Sequence, residues 1–369
     1  MRIMSVVLLG IATGTSASDR PAYEADDLSA RLPASSDSIA VDIADNGVVT
    51  GSLVDGSGRR KPFVLGIQGD VRVFDAGFYD DRLVRAGNAE GTIVGSFPGS
   101  TLGWARVGDD LRCIPSPFDC ESIQSIYTSS LPYDLNDDGT IVGSLTIIES
   151  GQPYTYQGYM AVVEPDGTIE VSGLGRYQQW DTTASAIDQN AVIVGFAVLD
   201  RTNAAYQPVF FDQGEWQPLG EPGRYQAPIA LNRHGVIIGS RRTDDDFREQ
   251  PLRWSLSSPE QSAEVLPTLP DSVNTRPNGI NAAGEIVGVS YDSNHPADRR
   301  AWMLMGDDPV ALDDLIENND GWQILAAHAI NSQGDIATTA RRAGESGTRA
   351  VILRRQSSDG LFQHGFDRE

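Results

Sequence analysis

The sequence is poor in the residue types on which most enzyme chemistry is built. Of its 28 basic residues only Lys61 is a lysine, which leaves a Schiff-base mechanism or a lysine-centred phosphate loop almost no material. The four histidines, His234, His295, His328 and His364, stand at no metal-ligand spacing from one another or from the two cysteines. No Gly-x-Ser-x-Gly elbow and no phosphate-cradling glycine loop is present. Neither a catalytic residue, nor a cofactor, nor a metal is therefore expected. Positive charge is scarce too: 51 acidic residues give a formal net charge of −23, a surface that repels phosphate backbones and disfavours nucleic acid as a partner. The apolar stretch Ile3 to Ala12 is too short to cross a bilayer, so no membrane span is expected.

With 40% hydrophobic and 21% charged residues over 369 positions, the chain can bury a substantial core. Its dominant feature is a recurring phrase, roughly Ala-x-x-Ile-Asn-x-x-Gly-x-Ile-Val-Gly, beginning near residues 40, 85, 133, 184, 229, 279 and 329. Self-similarity at roughly 45 residues marks units that bury their apolar faces only against one another. Within Pro132 to Leu145, Tyr133-Asp134-Leu135 and Thr140 to Leu145 flank the turn Asn136-Asp137-Asp138-Gly139, the pattern of a hairpin whose glycine takes a positive φ. The turn recurs from Asn88, Asn232, Asn281 and Asn331, while Ala44 replaces one asparagine and Ala191 one glycine. An aromatic-aliphatic run (Pro62 to Ile67, Gly103 to Val107, Tyr159 to Val163 and equivalents) and a last short run complete four strands per unit. Without helical periodicity between them, such units predict an all-β fold, a single seven-bladed β-propeller of four-stranded antiparallel blades spanning residues 18–356.

The seventh unit lacks a fourth strand after Arg355, whereas Ala25-Asp26-Asp27-Leu28 resembles Leu312-Asp313-Asp314-Leu315, read as the fourth strand of the sixth unit. The segment from Tyr23 to Leu32 is thus expected to complete the last blade and remove two exposed sheet edges.

These repeats resemble the HAF-repeat family of bacterial extracellular repeat proteins, whose units read much like the phrase above followed by an Ala-Phe-Leu-Trp-like strand. The resemblance runs from about Ile39 to Leu353. It implies a propeller-like fold and export, and supplies no catalytic residues. Arg300-Ala301-Trp302 and Arg349-Ala350-Val351 keep the family's alanine without the preceding histidine.

Residues 1–17, with Arg2, the apolar stretch and the small residues Thr15-Ser16-Ala17, read as a signal peptide, and the competing reading is a buried strand. A secreted or periplasmic bacterial protein is expected. Cys113 and Cys120 flank a loop that a local disulfide would close, stabilising the fold by roughly 2 to 3 kcal/mol; two free thiols is the other reading. The tail 357–369 resembles short tails ending in Phe-x-x-Gly-Phe-Asp on other exported bacterial proteins, which suggests sorting or docking, against a frayed end.

Four antiparallel strands per blade send the loop between strands two and three and the loop to the next blade to one face. That face collects Tyr154, Tyr156, Tyr206, Arg241, Tyr291 from the first kind of loop and Tyr79, Tyr127, Tyr177, Trp180, Tyr225, Trp322 from the second. Aromatic and arginine residues on variable loops of a rigid scaffold are effective contact anchors. They predict a non-catalytic binding or surface-interaction module for a polysaccharide or a protein segment, acting as a monomer; alternatively the rings fold back as satellite cores. The alternative function is a glycosidase or lyase with paired carboxylates near the axis, drawn from Asp80-Asp81, Asp181, Asp271 and Asp244-Asp245-Asp246. Asp134-x-Asn136-x-Asp138-Gly139 opens like a calcium loop, but Leu145 stands where the bidentate glutamate belongs, so the hairpin turn is the stronger reading.

Overall fold

The computed structural model describes residues 20–74, 83–97, 102–114, 129–147, 155–164, 168–292 and 295–356. The expected Cys120, Tyr79, Tyr127 and Tyr154, the segment 1–17, the tail 357–369 and Asp80-Asp81 lie outside these residues. Seven antiparallel sheets follow one another along the chain. Their first strands, from blade one to blade seven, are Asp37–Ile43, Leu83–Gly87, Ser129–Leu135, Asp181–Ile187, Ala227–Leu231, Asn274–Ile280 and Trp322–Ile330. Each first strand lies against that of the next blade, and blade seven's against blade one's, so the sheets close into a seven-bladed propeller. Seven apolar clusters fill the seven gaps, for example Val64, Phe74, Ile93 and Trp104 between blades one and two, and Leu53, Phe63, Ala337 and Ile352 between blades one and seven.

The ring is closed as the sequence predicts. Tyr23–Asp27 pairs antiparallel with Arg349–Arg355 as the outer strand of blade seven, in the order Tyr23–Asp27, Arg349–Arg355, Ile336–Arg342, Trp322–Ile330. One detail differs. In blade six the fourth strand is Asp308–Ala311, and Leu312–Leu315 is a 3-10 turn. The Asp313 carboxylate accepts from the Ile324 amide at 2.7 Å, which pins the turn to blade seven instead of letting it continue the ladder.

The recurring asparagine has two tasks. Its Oδ1 caps its own hairpin turn, accepting from the amides two and four residues on, as Asn331 does from Gln333 and Asp335. Its Nδ2 crosses to a backbone carbonyl of the next blade: Asn88 to Asn136, Asn136 to Asp188, Asn232 to Asn281, Asn281 to Asn331, and Asn331 to Ala44. Two blades lack the asparagine, and both are repaired within the same turn. Asn46 donates to the Ala89 carbonyl at 2.9 Å where Ala44 cannot. Asp188 still caps its turn, but a carboxylate cannot donate, and Asn190 reaches the Arg233 carbonyl at 3.4 Å instead. A belt of side-chain hydrogen bonds therefore links every blade to the next. Ala191, in place of the turn glycine, sits at φ 59°, a left-handed conformation costing a residue with a Cβ about 1 kcal/mol.

The glycine of the second strand answers to a different constraint. A Cβ on Gly51 or Gly95 would strike the carbonyl of Ile39 or Leu83 on the first strand and the ring of Phe63 or Trp104 on the third. Blade seven, where a second irregularity between Ile324 and Ala326 shifts the inner strand, accommodates Thr338, whose hydroxyl donates to the Val351 carbonyl at 2.7 Å.

Candidate functional site

Each first strand breaks its ladder three residues before the turn asparagine or its replacement. The register shifts at Val41, Arg85, Tyr133, Ser185, Ile229, Asn278 and His328, the extra residue of a β-bulge that re-aims one side chain out of the pleat. All seven line the axial channel, a cavity of about 850 Å³. At the tight-turn end the channel is bordered by Asp45, Asp137 and Arg233, and at the loop end by Phe196, Ser240, Glu249 and Arg276.

Two carboxylates stand beside this ring. Asp42 accepts from the amides of Ile43 and, across the blade gap, Gly87; Asp134 accepts from Leu135 and Ile187. Burial pushes Asp42 up to about 6 against the pull of those amides, and pushes Asp134 up to about 7, with the charge of Asp42 adding to it. Both are occupied as inter-blade clips, as Asn136 is as a turn cap, so the calcium-loop resemblance dissolves into backbone hydrogen bonding. His328 donates to or accepts from the Thr339 hydroxyl at 2.8 Å, and burial, reinforced by Arg299, pushes it down to about 4.

These shifts set a pH dependence of stability. The two aspartates bind protons more tightly folded than unfolded, so their contribution is full below about pH 4 and is lost as pH rises through 6 to 7. His328 acts oppositely, its folded-state pKa being the lower one, so its contribution grows from about pH 4 to 6.5. In Asp42→Asn/Asp134→Asn the fall is removed, and Tm should climb more steeply from pH 4 to 7 than in the parent chain, as followed by circular dichroism. Parallel Tm profiles would contradict this assignment.

Among the described residues, the acids named for glycoside chemistry do not converge on the axis. Asp181 is bracketed by Arg176 at 2.7 Å and by Arg201, Asp271 is exposed, and Asp244, Asp245 and Asp246 are exposed in the loop between the second and third strands of blade five. Among the described residues no group of three His, Cys, Asp or Glu side chains could hold a metal ion.

The loop face brings several of the predicted aromatics together. Tyr206 stacks on Phe196, with centroids 4.9 Å apart and planes 4° from parallel, and meets Tyr225 edge-on at 5.4 Å. Arginines cross the rings: Arg201 lies over Tyr156 at 5.1 Å, Arg242 over Tyr225 at 5.4 Å, Arg224 over Phe247 at 4.1 Å and Arg299 over Tyr291 at 5.9 Å. Arg241 donates through Nε and Nη2 to Gln250 at 3.1 and 3.0 Å. Tyr291 donates to Glu249 at 2.6 Å, and burial followed by that carboxylate pushes it up to about 12. Trp322 is buried in the core between blades six and seven. Tyr177 and Trp180 pack against the core between blades three and four. Cys113 is buried on the last strand of blade two, Asp110–Ile114. Phe196, Arg224 and Phe247 join the loop-face cluster without having been predicted; Phe196 lies mid-strand, and the other two were hidden in loops whose course only the fold defines.

No protein-family model and no curated protein matches the chain. Solved structures match in fold. A puromycin hydrolase aligns over 90% of this chain at 14% identity and a TM-score of 0.58, and its S511A mutant complexed with PGG over 88% at 14% and 0.59. A puromycin-hydrolyzing peptidase of Mycobacterium tuberculosis aligns over 92% at 11% and 0.52. The chain spans about half the length of these proteins, 53 to 55%. The likeness supports the propeller scaffold. Among the described residues no helix is long and apolar enough to cross a membrane.

Proposed function

We propose that this chain is an exported, non-catalytic binding module of the HAF-repeat kind that holds a polysaccharide or protein segment on its loop face. The observation that carries the reading is the succession of rings crossed by arginines on blades three to six, all on the side where the long loops emerge. Tyr156, Tyr225 and Phe247 are 37, 42 and 48% exposed, and exposed rings gathered on one face, unlike rings scattered singly, mark an interaction surface. Together with their guanidinium groups they offer flat apolar faces and hydrogen-bond donors in alternation, the composition of a contact surface rather than of a core. The axial carboxylates, already engaged by backbone amides, do not favour a hydrolytic site. The N-terminal segment and the tail agree with export.

A glycan array probed with the purified chain is the direct test, followed by Tyr156→Ala and Tyr225→Ala on whatever is retained. Both rings are exposed, so stability should change by no more than about 0.5 kcal/mol, while retention should fall about tenfold or more. Unchanged retention in both variants would sink the reading.

A further inference from the structure

We infer that the ligand of the loop face is an uncharged polysaccharide, and that its chain runs across blades three to five from Tyr156 to Tyr225, past the mouth of the axial channel at Phe196. The inference rests on the loop-face reading above and gives it a place and a ligand chemistry. Arg201 lies over Tyr156 at 5.1 Å and is anchored by Asp181. Tyr206 stacks on Phe196 with centroids 4.9 Å apart and meets Tyr225 edge-on at 5.4 Å. Burial and the nearby Tyr225 phenol push the Tyr206 hydroxyl up, and Arg201 pulls it back, so the Tyr156 pair adjoins the other three rings. Phe196 belongs to Ile193–Asp200, the second strand of blade four, and lines the axial cavity of about 850 Å³. Tyr206 belongs to the third strand, Ala205–Asp212, one step further from the axis. Four rings therefore form one path that touches a cavity large enough for part of a ligand.

The backbone is strained where these rings are presented. Tyr225 and Phe247 sit at φ 46° and 58°, and Ala204, whose carbonyl accepts from the Tyr225 amide at 2.8 Å, sits at 53°. Bulky side chains rarely take this left-handed conformation, which glycine holds freely. Strain of this kind clusters at ligand clamps, where the surrounding structure over-determines it. Each strained ring is also braced by a guanidinium group, Tyr225 by Arg242 at 5.4 Å and Phe247 by Arg224 at 4.1 Å.

The hydrogen-bonding groups along the path select the ligand. Among the described residues the Tyr206 and Tyr225 hydroxyls have no hydrogen-bond partner, and each can both donate and accept. At the channel mouth Glu249 accepts from the Ser240 and Tyr291 hydroxyls at 2.7 and 2.6 Å, one on each carboxylate oxygen, which leaves each oxygen a further lone pair. A ligand here must bring donors for Glu249, both kinds of group for the phenols and flat faces for the rings. The hydroxyls and C–H faces of a sugar chain supply all three. A proline-rich segment, the peptide that suits aromatic grooves, lacks the amide donors. Strand addition is blocked, since Ala205–Asp212 is already paired on one side with Ile193–Asp200 and on the other with Glu215–Pro218 and Gly223–Arg224. Charge then sorts the sugars. A polyanion, uronate or phosphate alike, meets the field of a −23 chain and the Glu249 carboxylate. A polycation has to displace Arg201, Arg224 and Arg242 from the rings they cross. An uncharged chain meets neither obstacle.

The test is affinity electrophoresis of the purified chain through gels containing hydroxyethyl cellulose, galactomannan or dextran, the carboxymethyl derivatives of cellulose and dextran, or polyproline. Tyr206→Phe removes one free hydroxyl and keeps the stack, and Tyr225→Gly removes a ring while suiting the positive φ, so both should keep the parent Tm. The control is Ile67→Ala, 68% exposed in the turn between the third and fourth strands of blade one, on the opposite face. The expected result is retardation by at least one uncharged polymer, indifferent to salt and stronger than by its carboxymethyl derivative. Tyr206→Phe should weaken it about fivefold and Tyr225→Gly about tenfold or more, while Ile67→Ala leaves it intact. Retardation by a carboxymethyl polymer alone, or by polyproline alone, would overturn the inference and leave the loop-face reading standing. Retardation by an uncharged polymer that survives both tyrosine variants would overturn the assigned path. Retardation by none of the polymers overturns the inference, and the array result for Tyr156→Ala and Tyr225→Ala then judges the wider reading independently.

Discussion

Removing the chain up to residue 32 should abolish single-step cooperative unfolding and drive the remainder into aggregates. The deleted segment supplies the outer strand of blade seven, in register from Tyr23 opposite Arg355 to Asp27 opposite Val351. It also buries Tyr23 and Leu28 completely. Tyr23 packs with Val310, Leu312 and Leu315 in the core between blades six and seven, while its hydroxyl reaches the Met303 sulfur at 3.6 Å. Its carbonyl also holds the Glu317 amide at 2.9 Å, so the strand is clasped from both sides. Arg349 bridges Asp27 at 2.7 Å, and Arg354 reaches Asp26 at 3.4 Å.

Burial of the tyrosine and the leucine contributes about 1.5–3 kcal/mol each, the partly exposed ion pairs at most about 1 kcal/mol each. Their sum rivals the 5–15 kcal/mol that holds a typical domain together. The loss would also leave Arg349–Arg355 as a bare sheet edge, open to pairing with another chain. Calorimetry of the truncated chain checks this. If the truncated protein cannot be purified, Tyr23→Ala in the full chain should cost about 3–5 kcal/mol. A truncated chain that melts like the parent would mean that the ring is not closed by its N-terminal strand.

The second large effect is expected at Asn331. Replacing it with alanine removes two turn caps and the donor to the Ala44 carbonyl at 3.3 Å, the belt link that joins the last blade to the first. Asn331 is buried, so its former partners lose their hydrogen bonds where water does not readily replace them, and the cost should be about 2–4 kcal/mol. Asn331→Asp keeps the caps and removes only the donor, and should fall between alanine and the parent in urea denaturation. No other side chain of that turn reaches across to blade one, since the neighbouring link from Ser332 uses a backbone amide to Asp45. A loss under about 0.5 kcal/mol for Asn331→Ala would show that the belt is incidental.

The internal repeats explain how far the chain could be read without coordinates. The turn asparagine and glycine, the glycine under the aromatic ring and the four runs per unit are dictated by contacts that recur in each blade, so they recur in the sequence at matching positions. The bulge residues occupy a position of the phrase that varies freely from Val41 to His328, yet nothing in a linear phrase says that seven such positions share an axis. The exchanges at Ala44 and Ala191 looked like decay of the motif, and the structure adds a second missing asparagine at Asp188. The asparagines missing at Ala44 and Asp188 are compensated by Asn46 and Asn190, two residues further along, which becomes visible only when the carbonyl of the neighbouring blade is in place.

The predicted site fared differently according to the forces involved. Tyr206 and Tyr225 meet because the long loops emerge on one side, a consequence of strand parity that the sequence already implied. Whether a loop aromatic turns inward or outward depends on the space left by its neighbours. Trp322 fills a gap between two blades, whereas Tyr225 stands against Tyr206 and Arg242, which leave it partly in solvent. Periodicity alone determined the all-β architecture, the number of blades and the role of the N-terminal strand, because each unit can bury its apolar face only against a copy of itself. Which arginines lie across rings, which carboxylates are consumed by backbone amides and which rings stay in water were decided by tertiary structure, since those properties depend on distances between residues on different blades.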